Sequence, residues 1–194
     1  MSRINAAVQN TWGTEAKDID ALIEQHATAG GATGLTAAFP VAGPVIAVAA
    51  MTPIVWSMYY RINQMYDIKV SKTVVRCLSS AIVSNLASNA FSYFAAAGLS
   101  LIPFAGTVIS MIAVGAANYA TVHVAGKTYA TVIKKLVRNG DGSTTSEEEI
   151  QEAVNAALAQ KDLKQELKEA KAHYADMKKK GIITGEESVD VISD

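Results

Sequence analysis

Residues 77–126 read CLSSAIVSNLASNAFSYFAAAGLSLIPFAGTVISMIAVGAANYATVHVAG. Fifty residues pass without an Asp, Glu, Lys or Arg, in a chain that is 18% charged overall. A second charge-free run covers Ala27 to Tyr60. Both runs contain the pattern P-x-A-G-x-V-I, as Pro40-Val41-Ala42-Gly43-Pro44-Val45-Ile46 and as Pro103-Phe104-Ala105-Gly106-Thr107-Val108-Ile109, 63 positions apart. The chain therefore reads as two pseudo-repeated apolar helical hairpin units, each with a Pro/Gly corner at Pro40, Gly43 and Pro44 or at Pro103 and Gly106. Helices facing water at this length carry charges. These units are therefore expected to be buried in a membrane, in an oligomer or in each other.

Charge divides the chain. Residues 1–133 hold 7 Lys/Arg and 5 Asp/Glu, and residues 134–194 hold 10 and 13. The mean hydropathy of +0.19 thus averages an apolar front and a charged tail. A net charge of −1 argues against nucleic acid as a partner. The single cysteine, Cys77, forbids an internal disulfide and suits a reducing compartment. Met1 to Glu24 shows neither an apolar signal core nor a lipidation motif.

The expected organisation is all-α. Residues 1–26 form an amphipathic helix with Ile19, Leu22, Ile23 and His26 at helical spacing. Residues 27–138 form the apolar helical domain, 139–145 a linker and 146–194 a charged helical tail. Within the domain, Val45 to Tyr60 reads as an apolar helix kinked at Pro53. Its end, Trp56, Tyr59, Tyr60 and Arg61, suits either a membrane–water boundary or a core stripe meeting solvent. Arg61 to Arg76 is a basic connector, as expected on the cytoplasmic side of a membrane. Cys77 to Ile102 is long enough to span a bilayer. Ser80, Ser84, Ser88 and Ser92 recur along it every fourth residue, with Asn85 and Asn89 beside them. In lipid such a stripe packs helix on helix; in water it is the outer face of an amphipathic helix. Thr107 to Gly126 returns as the second arm of an αα-hairpin. In the tail, Ser146 to Glu149 makes a capping box before the stripe Ile150, Val154 and Leu158. Leu163, Leu167, Ala170, Tyr174 and Met177 then follow heptad spacing, a seam for docking, for self-association or for packing on the same chain. Thr184 to Glu187 starts another cap, and the terminal residues are expected to fray.

Chemistry is sparse. Gly126-Lys127-Thr128 lacks the upstream glycine of a phosphate loop, since Thr121 stands there. Gly30-Gly31-Ala32-Thr33-Gly34 is not a dinucleotide fingerprint. Asn139, Asp141 and Gly142 place Val137 where the first carboxylate of a calcium loop belongs. His26, His123 and His173 lie on separate segments without metal-ligand spacing. Cys77 reads as a buried small side chain. No catalytic, cofactor or metal residues are assigned, and the expected class is not an enzyme.

Phe39 to Lys135 resembles the YcjF-type family of bacterial proteins, which have an apolar helical domain and no known function. The resemblance rests on Ala38 to Pro44, Met58 to Ile62 with Tyr66 to Ile68, Leu101 to Gly106 and the Thr121 to Gly126 close, about half of the chain. This chain has Pro44 and Val45 where the family usually carries an acidic residue. The resemblance implies a setting beside Era-like GTPases, here as a separate partner. Gly181 to Glu187 weakly resembles a short bacterial oligomerisation module. The expected role is a non-catalytic membrane-embedded or membrane-peripheral protein at the cytoplasmic side of a bacterial inner membrane. It would self-associate as a homo-oligomer through the serine stripe and scaffold or shape the lipid surface. The alternatives are a soluble homo-oligomeric shell or filament, and a pore former.

Overall fold

The computed structural model describes residues 17–33, 43–94, 106–139, 146–160 and 162–190. All regular structure among them is helical: α1 over residues 17–33, α2 Gly43–Met65, α3 Lys72–Phe94, α4 Gly106–Asn139, α5 Glu147–Gln160 and α6 Leu163–Lys179. The chain is therefore all-α, as its sequence predicts. Pro40, Pro103 and all of the linker except Asn139 lie outside the described residues, so the two hairpin corners are seen only where Gly43 with Pro44 and Gly106 enter their helices. Pro44 falls in the first turn of α2, where its missing N–H costs nothing. Pro53 lies inside the same continuous helix with its ring exposed.

The helices are longer than the periodicity suggests. The first runs past His26 through Gly30 and Gly31, because small residues there let α1 approach α4. A Cβ on Gly30 would lie 2.8 Å from Val122 Cγ2, and one on Gly115 would lie 2.9 Å from the Gly31 carbonyl oxygen. The basic connector contracts to residues 66–71. The chain turns there with Asp67 at φ 51°, while Ile68 N–H donates to Asn63 O (2.9 Å) and Asp67 N–H to Gln64 O (3.1 Å). That is a Schellman closure with an aspartate where glycine is commonest. The short link folds α3 back along α2, and Arg76 sits 5.6 Å above the Trp56 ring.

One core joins both parts of the chain. Trp56 and Tyr59 are buried in it, and Tyr59 stacks on Tyr129 of α4 at 3.8 Å. These aromatics are core residues, not boundary anchors; only Tyr60 and Arg61 are half-exposed. The tail packs on its own chain too. Leu167, Ala170, Tyr174 and Met177 are buried against the α4 side of the bundle, and Leu163 is half-buried. The seam is thereby spent intramolecularly. The capping box forms as expected: Ser146 N–H donates to Glu149 (2.8 Å) and Glu149 N–H to Ser146 Oγ (3.2 Å). At Thr184 the capping pattern also forms, with Glu187 accepting from Thr184 and Gly185, but no helix follows. Residues 182–190 run back against α2, and the last four residues lie outside the described ones. Ile183 is buried, and the Asp190 carbonyl accepts from Ser57 and Arg61. Among the described residues, no helix is long and apolar enough to cross a membrane.

Candidate functional site

The serine stripe of α3 faces outward. Ser80, Ser84, Asn85 and Asn89 are exposed, and the inner face is Val75, Leu78, Ser79, Ile82, Val83, Leu86 and Ala90. The side chains of Ser88 and Ser92 lie outside the described residues. Asn89 donates to the Asn85 carbonyl (2.9 Å), which ties the two amides along the helix surface. Beside them a shallow groove of about 490 Å³ runs between α3 and α5, floored by Ile82 and Leu158 and edged by Asn85, Asn89 and Asn155. Cys77 is exposed on the same helix, not buried: Leu78 and Ser79, next in sequence, take the inward positions. Gly126, Lys127 and Thr128 lie within α4, which leaves no loop for a phosphate.

The polar centre of the molecule lies elsewhere, where α1, α4 and α6 meet. The Tyr119 hydroxyl donates to Glu24 Oε1 at 2.7 Å. His173 Nε2 stands 3.3 Å from the same oxygen, and His123 Nε2 3.9 Å from Oε2. The Tyr119 and His123 rings stack at 5.6 Å, and the two imidazoles lie 6.4 Å apart. The structure thus brings together two histidines that the sequence places on separate segments. At the outer edge, Lys127 pairs with Asp20 at 3.6 Å.

Each partner is fixed by its helix. Glu24, Tyr119 and His123 face each other because α1 runs antiparallel to α4, as the pairs Asp20–Lys127, Glu24–His123 and Gly31–Gly115 show. One helical turn separates Tyr119 from His123, so both point to one carboxylate. Burial and the Glu24 hydrogen bond raise the Tyr119 phenol far above its usual range, so it is a permanent donor at neutral pH. Burial lowers the proton affinity of His123, opposed by Glu24 and assisted by Lys127 and His173. Two residues beyond Glu24, on another face of α1, His26 is fully buried. Its Nδ1 lies 2.8 Å from the Leu22 carbonyl, which can only accept, so Nδ1 carries the proton. Nε2 is then a lone pair without a hydrogen-bond partner among the described residues.

Among the described residues no group of His, Cys, Asp or Glu is arranged to hold a metal ion. The cluster is suited to joining three helices through one carboxylate and to responding to protons. No sequence signal marks it, because Glu24, His123 and His173 are separated by whole helices.

No family model, curated protein or solved structure matches this chain.

Proposed function

We propose that this chain is a non-catalytic, membrane-peripheral helical protein that docks one end of its bundle on a lipid surface. A single geometric observation carries the reading. Tyr59 donates to the Ala125 carbonyl and Tyr129 to Asn63 Oδ1, two pairs each 66 positions apart. Helices α2 and α4 are therefore parallel, and their first residues, Gly43 and Gly106, stand within a turn of the same level. Because α1 is antiparallel to α4 and α3 folds back along α2, the C-terminal ends of α1 and α3 and the N-terminal ends of α2 and α4 lie at that one end; in the sequence, segments 34–42 and 95–105 connect them. Neither segment contains a charge, and they supply Leu35, Phe39, Val41, Leu99, Leu101, Ile102 and Phe104. Two uncharged apolar connectors at one end of a bundle suit shallow insertion at the headgroup boundary rather than a span.

On this reading the protein acts on the cytoplasmic side of a bacterial inner membrane. The exposed face of α3, with Ser80, Ser84, Asn85 and Asn89, is where copies meet. A separate GTPase is the partner that the YcjF-type resemblance implies.

Flotation with phosphatidylethanolamine/phosphatidylglycerol vesicles tests the docking end. The protein is expected to float, and a Phe39→Asp, Phe104→Asp variant is expected to stay at the bottom with unchanged helicity. A wild-type protein that does not float, or a double variant that floats as well as wild type, overturns the reading.

A further inference from the structure

We propose that α1 is an acid-released latch: protons taken up at His26 and His123 drive α1 off the α4 seam while the remaining helices stay packed. The proposal concerns the α1–α4–α6 junction alone and is independent of lipid binding.

The geometry concentrates proton acceptors under one helix. His26 belongs to α1 and is fully buried, with Nε2 lacking a hydrogen-bond partner among the described residues. A proton on Nε2 would create an interior cation on the side of α2 that carries Arg61, whose charge opposes it. His123 projects from α4 towards α1. It faces Glu24 of α1, His173 and Glu166 of α6, and Lys127 and Tyr119 of its own helix. Glu24 is the nearest counter-charge, and it already accepts from Tyr119 and stands against both imidazoles. Protonating His123 adds a cation beside Lys127 in a mostly buried site. Release of α1 returns His26 to water and uncovers His123; it also carries Glu24 away from His123, which opposes release, but burial is the larger influence on His123.

The sign follows from the burial of both groups. His26 and His123 each bind a proton less readily in the folded state than in water, with burial the first cause in both. Their contribution to docking is intact above the ordinary histidine value of about 6.5 and is lost as pH falls below it. Each such group shifts the docked-to-released ratio by up to about tenfold per pH unit. The first half of α1 is already wet on its outer side, since Lys17, Asp18, Asp20, Ala21 and Gln25 are exposed, while residues 26–32 are buried. Helix α1 joins the core of Tyr59, Ile82, Tyr129 and Leu167 through Ile19, Ile23 and Ala27, fewer anchors than α2, α3 or α4 supplies. Local opening of such an element lies well below global unfolding in free energy.

Hydrogen exchange read by mass spectrometry at pH 7.5, 6.5 and 5.5, corrected for intrinsic rates, tests the latch on the full chain. Protection of peptides within residues 17–33 is expected to fall by tenfold or more at pH 5.5, while peptides of α3 keep theirs. His123→Gln is expected to cut the response to well under half, and His26→Gln to do the same if it folds. Protection of α1 that is independent of pH overturns the proposal. So does loss that spreads equally to α3, or a His123→Gln protein that responds like wild type.

Discussion

Replacing Gly115 by alanine is the sharpest test of the α1–α4 seam. In an open helix the change would be favourable by about 1 kcal/mol, because alanine loses less backbone freedom than glycine. Here the new methyl would lie 2.9 Å from the Gly31 carbonyl oxygen and would press on the Tyr174 hydroxyl. The carbonyl is backbone and yields only if α1 moves, and Tyr174 is itself buried. Overpacking of this kind costs about 1–3 kcal/mol, and the two-sided contact puts Gly115 at the upper end. The net expectation is destabilisation by about 1–2 kcal/mol, or roughly 3–6 °C in Tm for a chain of this size. The assay is urea unfolding followed by circular dichroism. Gly126→Ala is the control. Its methyl would meet Met58 Sδ at 2.8 Å and the two γ-carbons of Ile23 at 3.0 Å, with no backbone atom among the nearest contacts; the thioether can give, the β-branched Ile23 less so. It should cost clearly less. Tyr174→Phe removes a buried hydroxyl that has no hydrogen-bond partner among the described residues, so alone it should be neutral or slightly stabilising. Combined with Gly115→Ala it should recover part of the loss, leaving the share due to the Gly31 carbonyl. A Gly115→Ala protein as stable as wild type would refute the close approach of α1 and α4.

Two further substitutions probe the core and the outer face. Tyr129→Phe removes the 2.9 Å bond to Asn63 Oδ1, and the Asn63 amide nitrogen already lacks a partner among the described residues. Denaturant unfolding should therefore show a loss of about 1–3 kcal/mol; no change would mean water reaches that pair. Ser80→Arg with Ser84→Arg alters only exposed positions of α3. The melting temperature should stay within a few degrees while the mass measured by light scattering falls to that of a monomer. An unchanged oligomer would remove α3 as the contact face.

Much of the fold is legible from local rules. The capping box at Ser146 and Glu149, the stripe Ile150, Val154 and Leu158, and the helical spacing of Ile19 and Ile23 all follow from contacts within a few residues. Helix ends are less legible. Gly30 and Gly31 look like a break in water, yet they continue α1 because a glycine-faced helix fits closely against Val122 and Tyr119. Aromatic residues in an apolar run are ambiguous for a different reason. Trp56 and Tyr59 meet the same requirement, a dry body with a polar tip, at a lipid boundary or inside a bundle.

The sequence by itself determined that this chain is helical, that its front is apolar and its tail charged, and that Ser80, Ser84, Asn85 and Asn89 share one face of a helix. These are properties of composition and of period along the chain. Only the tertiary structure decided that this face points outward, that the tail seam closes on α4, and that Glu24, His123 and His173 meet. Such outcomes depend on how whole helices align in space, and spacing along the chain carries no record of that alignment.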